Sequence, residues 1–130
     1  MSVVVDASVL VALTSDAGRI GQWAERFLSD ESLIAPDLAL VEATNILRRL
    51  ELAGKLARLE AAAAASDLLD LPIEPLPFAP FADRVWELRA NITSYDALYV
   101  AIAERLDMPL ATLDRKLAHA PGPGCRFLLP

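Results

Sequence analysis

The sequence predicts an α/β fold, a single domain of three layers in which helices cover both faces of a mainly parallel sheet of about four or five strands. The chain has 130 residues, an ordinary length for one domain. Short apolar runs, β-branched near the N-terminus, alternate with longer helical patterns along the whole sequence. No repeat or low-complexity linker divides it, so we expect residues 1–130 to form one domain.

Five short segments have the pattern of strands. Residues 3–5 are all valine and stop at Asp6, as expected for a buried parallel strand, and Pro36 ends the second segment. Pro75 and Pro77 have no amide proton to donate, so the third segment belongs near an edge of the sheet. The predicted strands cover 3–5, 32–35, 73–77, 109–112 and 125–129.

Helical patterns fill the segments between these strands. Asp37 is placed to cap a helix that stops at Gly54, and Thr93 or Ser94 is placed to cap a strongly periodic helix. The spacing of apolar residues predicts that the first of these helices buries Leu38, Val41, Ile46 and Leu50, and that the second buries Leu98, Ile102 and Leu106. The predicted helices cover 8–15, 17–29, 38–52, 56–70, 81–90, 95–106 and 115–120.

The composition limits the class of protein. Hydrophobic residues make up 55% and charged residues 23% of the chain, which excludes intrinsic disorder. The single cysteine, Cys125, cannot form an internal disulfide or a thiolate zinc site, which favours a reducing compartment. No apolar stretch reaches the roughly 20 residues of a membrane span, and the N-terminus lacks the positive region of a secretory signal. We therefore expect a cytoplasmic protein.

The charge balance argues at first against nucleic acid as a partner. The formal net charge is −6, with only two lysines beside ten arginines, whereas phosphate contacts need clustered cations. The location of the acids matters more than the total. If several acids share one pocket, the acidity indicates a metal site.

Four acids stand at element boundaries inside apolar runs. Asp6 directly follows the first strand, Asp114 follows a late strand by one residue, Asp96 lies in the first turn of its helix, and Glu42 lies early in another helix. The carboxyl ends of parallel strands meet at one edge of a sheet, so Asp6 and Asp114 should share that edge, with Asp96 starting from the same region. Buried carboxylates are rare unless they are paired.

An interpretation without a metal gives each acid a local role: a helix cap for Asp6, a capping box with Thr93 for Asp96, and an ion pair with Arg48 or Arg49 for Glu42. It fits the four together poorly, because the nearest cations lie outside the same apolar runs. Two carboxylates about 4 Å apart repel by roughly 4 kcal/mol at an effective dielectric near 20. A dication reverses that sign, and oxygen ligands without His or Cys favour Mg²⁺ or Mn²⁺ over zinc.

Four segments resemble, in order, the motifs of the PIN-domain ribonucleases, and within them those of the VapC-type toxins of bacterial toxin–antitoxin pairs. They are VVDASVL at 4–10, PDLALVEATNIL at 36–47, TSYDALYVAIAE at 93–104 and ATLDRKL at 111–117. One motif alone is a weak signal, but four in this order and spacing are specific and span nearly the whole chain. The likeness is weakest over 78–92.

The resemblance implies a PIN-like fold and a metal-dependent endoribonuclease. In that interpretation one or two Mg²⁺ or Mn²⁺ ions activate a water that attacks an RNA phosphodiester. An additional acid that some members carry after the fourth motif is absent, so the number of ions stays open. The implied direct ligands are Asp6 and Asp96, the ligands through water are Glu42 and Asp114, and the supporting hydroxyls are Ser8 and Thr112, for which local helix capping is an equal alternative.

The resemblance also implies partners. A cognate antitoxin is expected to lie across the groove and block the metal site, with helices 38–52 and 56–70 as candidate surfaces, and a homodimer is expected. The main alternative is a catalytically silent PIN-fold module that only binds an antitoxin or regulatory partner. A phospho-acceptor receiver domain is disfavoured, because Asp6 has no acidic neighbour and Asp37 follows a proline in place of a buried acceptor.

Several other residues have weaker functional interpretations, each beside a structural one. Tyr95 and Tyr99 lie four apart and could stack on a base, although packing is the commoner role. Cations that could bind phosphate or simply face solvent are Arg48, Arg49, Arg89, Arg115 and Lys116. Trp23 and Trp86 are expected to be packing or interface anchors, His119 lies outside the motifs, and Cys125 is expected to be a small buried hydrophobe.

Overall fold

The computed structural model describes residues 2–130, with every side chain in that range except that of Phe27. Its strands are β1 (Ser2–Val5), β2 (Ser32–Pro36), β3 (Ile73–Leu76), β4 (Leu110–Ala111) and β5 (Phe127–Leu128). They form one sheet in the order β3-β2-β1-β4-β5, and every pairing is parallel. The predicted parallel α/β sheet is confirmed, and the first strand lies at its centre.

The helices alternate with the strands along the chain. They are α1 (Ala7–Ser15), α2 (Arg19–Leu28), α3 (Leu38–Leu52), α4 (Arg58–Asp70), α5 (Ala82–Glu87), α6 (Ser94–Leu106) and α7 (Arg115–His119), with a 3-10 turn, Ala79–Phe81, before α5. Helices α1, α2, α3 and α4 pack on one another around α1, whereas α5 packs on α6. Because α6 crosses β1, β2 and β4, its N-terminal turn is held close to the centre of the sheet.

The core is built around β1 and α6. The three valines of β1 are buried, and residues 97–103 of α6 are buried without interruption. Burial on every side explains why these segments read as continuous apolar runs in the sequence. The position of α6 therefore fixes its first turn, which carries Asp96, relative to the end of β1.

The buried face of α3 differs from the predicted one. Ala39, Ala43 and Leu47 are buried, whereas Val41 is 65% exposed. Alanines four residues apart let α3 approach its neighbours closely, so the helix packs through the face that carries them. The spacing of the larger apolar side chains had predicted a different buried face. The expected burial of Val41 is therefore wrong, and Leu38, Ile46 and Leu50 are only partly buried. In α6, Leu98 and Ile102 are buried as expected, but Leu106 is 36% exposed at the end of the helix.

The predicted helix ends are confirmed in two of three cases. The Thr93 hydroxyl caps α6 by accepting the N–H of Asp96 at 3.2 Å. Gly54 follows α3 with φ +76°, a conformation that favours glycine. The Asp37 side chain makes no capping hydrogen bond, because the residue has helical backbone angles. The prediction that the third strand lies near an edge of the sheet is confirmed by β3.

No helix within residues 2–130 is both long enough and apolar enough to cross a membrane.

Candidate metal centre and groove

The carboxyl edge of the sheet brings together the ends of β1 and β4. The N–H of Asp6 donates to the carbonyl of Ala111 at 3.2 Å, so the pairing of the two central strands continues to the first acid. Thr112 follows β4 and is fully buried, and Asp114 follows two residues later at the start of α7. Residues more than 100 positions apart in the sequence are thus adjacent here.

Two hydroxyl groups orient the Asp6 carboxylate. The Ser8 hydroxyl donates to Asp6 Oδ1 at 2.5 Å, and the Thr112 hydroxyl donates to Oδ2. Each hydroxyl also accepts an N–H from the loop after β4: Ser8 Oγ from Leu113 at 3.2 Å and Thr112 Oγ1 from Asp114 at 3.0 Å. The side chain of Asp6, only 8% exposed, is therefore held in one orientation by both elements.

Helix capping explains part of this arrangement. Asp6 accepts the N–H of Val9 at 3.2 Å, and Asp114 accepts those of Lys116 at 2.9 Å and Leu117 at 3.2 Å, so each acid caps the helix that follows it. A cap alone does not require burial, because N-cap residues also stabilise helices in fully solvated peptides. Capping therefore leaves the burial of Asp6 and its proximity to further acids unexplained.

Glu42 reaches the same region from α3. Its Oε1 accepts the hydroxyl of Tyr99 on α6 at 2.8 Å. Among residues 2–130 it forms no ion pair with Arg48 or Arg49, so the local explanation for this acid is wrong. A buried tyrosine thus holds the acid of one helix against the helix that carries Asp96.

The acids are electrostatically coupled. Burial raises the pKa of Asp6, opposed by the hydrogen bonds from Ser8 and Thr112. Burial, followed by the charges of Asp96 and Asp6, raises the pKa of Glu42 despite the hydrogen bond from Tyr99. Burial, followed by the charges of Asp114 and Asp6, raises the pKa of Asp96. The acids therefore share one electrostatic environment, and that environment disfavours the negative charge of Asp6, Glu42 and Asp96.

The donor set fits a hard dication. All four groups are carboxylates, the ligands that Mg²⁺ and Mn²⁺ prefer, and no ion pair in the described part of the chain neutralises any of them. Within the same range, no three His, Cys, Asp or Glu side chains lie close enough to enclose an ion by themselves. The carboxylates thus lie close enough to interact electrostatically but form no closed protein cage, and an ion held there would keep several waters, as Mg²⁺ prefers.

An open groove of about 540 Å³ lies beside the acids. Asp96 and Asp114 stand in it together with the cations Arg89 and Lys116. The segment between α5 and α6 forms much of the groove wall, including Asn91. The groove is wide and open to solvent, a shape that suits an extended polymer better than an enclosed small molecule.

Comparison with known proteins identifies the family. The PIN-domain sequence profile matches residues 3–123, which is most of the chain. The chain belongs to the PIN-domain family. Ribonuclease VapC1 of Mycobacterium tuberculosis is 38% identical to this PIN-domain protein over 127 residues, which are 97% of this chain and 96% of the relative. The resemblance inferred from the four motifs, to PIN-domain ribonucleases of the VapC type, is confirmed.

Solved structures agree with the fold. A crystal structure from Pyrobaculum aerophilum matches this PIN-domain protein with a TM-score of 0.72 and 27% identity, covering 98% of this chain and 83% of that one. The VapBC2 structure of Rickettsia felis, bound to a DNA fragment from its promoter, matches with a TM-score of 0.68 and 16% identity, covering 99% and 98%. The PIN-like arrangement of the sheet and its helices is therefore confirmed.

Two of the weaker predictions concerned the tyrosines of α6. Tyr99 is 2% exposed and hydrogen-bonded to Glu42, so it is not available to stack on a base. Tyr95 is 60% exposed in the first turn of the helix. The sequence did carry a signal for the role of Tyr99, because a residue three positions after Asp96 lies on the same helix face. Its partner Glu42, 57 positions away, could not be inferred.

The remaining residues with weaker functional interpretations lie in different places. Arg89 and Lys116 line the groove, whereas Arg115 donates to the carbonyl of Pro130 at 3.0 Å. Trp23 packs on the core as expected. Trp86 is 66% exposed, which excludes packing in the core and leaves the other expected role, an interface anchor, as a prediction. The exposed His119 ring contacts the carbonyl of Arg115. Cys125 is half-buried against the core and lies in a different pocket from the acids.

Proposed function

We propose that this PIN-domain protein is the toxin of a toxin–antitoxin pair and cleaves RNA with Mg²⁺ or Mn²⁺ held by Asp6, Glu42, Asp96 and Asp114. One observation carries the proposal: burial raises the pKa of Asp6, burial and the charges of neighbouring acids raise those of Glu42 and Asp96, and no ion pair within residues 2–130 neutralises these carboxylates. Such an arrangement opposes folding unless a bound dication compensates it.

We propose a different role for each group of residues at the site. Asp6 and Asp96 are proposed as direct ligands, and Glu42 and Asp114 as ligands through water. Bound metal lowers the pKa of a coordinated water and stabilises negative charge on the phosphate. The Ser8 and Thr112 hydroxyls fix the orientation of Asp6, and Tyr99 fixes Glu42, so the carboxylates are aligned before an ion or RNA arrives.

The proposal includes the partners that the family suggests. RNA enters the groove, and a cognate antitoxin covers it. Large apolar side chains exposed on α3 and α4 provide contact area for that antitoxin or for a second copy of the chain: Val41, Leu52, Leu59 and Leu69. We further propose that residues 1–130 act as one domain and that the protein works in the cytoplasm.

Cleavage of total RNA by the purified, antitoxin-free protein tests the proposal. We expect products with Mn²⁺ or Mg²⁺ and none with a chelator, and we expect Asp6→Asn and Asp96→Asn to lose at least a hundredfold in rate because each removes a ligand charge. Asp107→Asn is the matched control, since it makes the same chemical change at the far end of α6, where asparagine tolerates the left-handed backbone.

Two outcomes would contradict this assignment. Full metal-dependent cleavage by both aspartate variants would exclude the proposed centre. No cleavage by a wild-type protein that still binds its antitoxin would instead support the silent-module alternative.

A further inference from the structure

An exposed tryptophan stands next to the groove with an arginine folded onto it. Trp86, near the end of α5, is 66% exposed, although tryptophan is usually largely buried in folded proteins. The Arg89 guanidinium lies 4.4 Å from the centroid of its ring, and Arg89 Nη1 donates to the Trp86 carbonyl at 2.7 Å. The stacking and the hydrogen bond together hold the arginine in one place.

Arg89 is also a wall residue of the groove that contains Asp96 and Asp114, and Lys116 is another. Within residues 2–130, neither Arg89 nor Lys116 forms an ion pair with an acid. Arg84, which lies one turn before Arg89, differs in this respect because it is bound to Glu104 and Glu87. Two cations that have no acidic partner among the described residues therefore stand in the groove of a chain whose net charge is −6.

We infer that Arg89 and Lys116 bind phosphates of single-stranded RNA beside the acids, and that Trp86 stacks on a base of that strand. This inference rests on the proposed RNA-cleaving function and names its substrate contacts. RNA suits the surface because single strands present both features that it complements: phosphates for the cations, and unpaired bases for an aromatic ring or a guanidinium plane. A prearranged arginine loses less entropy on binding than a free one.

Binding of a labelled short single-stranded RNA, followed by fluorescence anisotropy in a chelator over a range of salt concentrations, tests the inference. The chelator prevents cleavage, so the result does not depend on whether the metal centre is correctly assigned. We expect Trp86→Ala to weaken binding about tenfold with an unchanged salt dependence, as for the loss of one stacked base. Arg89→Ala and Lys116→Ala should each weaken binding and reduce the slope of log affinity against log salt by about 0.7.

Matched controls change similar residues outside the groove. Arg26→Ala on α2 removes the same charge, and Phe78→Ala removes an exposed aromatic ring; both should leave the affinity and the slope unchanged. Equal affinities for the wild-type protein and the three groove variants, or no RNA binding by the wild type, would overturn the inference. Loss of self-association or antitoxin binding in Trp86→Ala at unaltered RNA affinity would also overturn it, because the surface would then contact protein.

Discussion

Asp96 carries a charge that the folded protein accommodates poorly. Its carboxylate is half-buried in the first turn of α6, and the charges of Asp114 and Asp6 add to the effect of burial in raising its pKa. The favourable interaction of an acid with a helix N-terminus offsets only part of this cost. Functional sites typically contain residues that their local environment disfavours, and these residues lower the stability of the folded protein.

Asp96→Asn should therefore stabilise the metal-free protein while it abolishes cleavage. Removing one like charge should raise the free energy of unfolding by about 0.5–1 kcal/mol, the size of a charge interaction near a protein surface. Urea unfolding in a chelator measures the change. A variant less stable than the wild type under these conditions would show that Asp96 is a structural residue.

Tyr99→Phe should reduce cleavage about tenfold while the fold survives, because phenylalanine keeps the buried ring and removes only the hydroxyl that holds Glu42. Cleavage rates measured across a Mn²⁺ titration would show the loss. Tyr95→Phe is the matched control on the same helix: its side chain is exposed and should not affect the rate. Equal rates for both variants would mean that Glu42 needs no fixed orientation.

For single residues, the sequence predicted the acids and the supporting hydroxyls of Ser8 and Thr112, which both donate to Asp6, but not the partner of Glu42. Asp6, Glu42, Asp96 and Asp114 were detectable because each interrupts an apolar run. The Tyr99 hydroxyl was not, since its bond to Glu42 depends on how α3 and α6 pack. Such contacts depend on how distant helices pack in the tertiary structure, so the local sequence pattern does not predict them.

Among the elements, α5, α6 and the loop before β5 are joined by one ion pair. Arg84 donates to both oxygens of Glu104, at 2.7 and 3.0 Å, and also to the carbonyl of Gly122 at 3.1 Å. Glu104 in turn accepts the N–H of Gly124 at 2.6 Å. This cluster holds the 121–124 loop on the two helices, and Gly122 there lies close to Asn91 of the groove wall.

Glu104→Gln should lower the free energy of unfolding by about 1–2 kcal/mol, because a two-point charged contact and its backbone bond are weakened together. Hydrogen exchange should show faster exchange at Gly124. Glu87→Gln is the control: Glu87 contacts Arg84 too, but at an exposed i,i+3 position that should contribute less than about 0.5 kcal/mol. Similar losses in both variants would indicate that the loop is held by other contacts.

Element types were predictable, and one helix face was not. The strands and helices follow the sequence pattern closely because buried parallel strands and capped helices each leave a local signal. The exposed Val41 shows the limit of the prediction, because α3 buries alanines and leaves this larger residue in solvent. The apolar pattern alone does not show which of two helix faces packs against the neighbouring helices. The helix predicted over 81–90 is shorter in the structure: a 3-10 turn contains residue 81, α5 covers Ala82–Glu87, and residues 88–90 form a turn.

For the whole molecule, stability without divalent metal should fall as the pH rises. The pKa values of Asp6, Glu42 and Asp96 are raised in the folded state, so over the range between their ordinary and raised values the folded protein binds protons that the unfolded chain has released. Unfolding free energy therefore decreases through that range and becomes level above it. Urea unfolding in a chelator, measured upward from the ordinary glutamate value of 4.5, should show this slope.

Saturating Mn²⁺ should remove much of that slope, because the bound charge compensates the carboxylates. The pKa of Glu104 is lowered by Arg84, so its contribution has the opposite sign and is lost only below the ordinary glutamate value of 4.5. The titration of Glu104 therefore does not affect the slope measured above this value. A stability that increases with pH in the chelator would contradict the proposed coupling of the acids.

The site joins segments that lie far apart in the polypeptide. The hydroxyl of Thr112, which orients Asp6, follows it by 106 positions in the sequence. During synthesis the acids therefore cannot be arranged until the segment that carries Thr112 has left the ribosomal exit tunnel. For an enzyme directed against RNA, this order of assembly keeps a nascent copy inert until that segment has emerged.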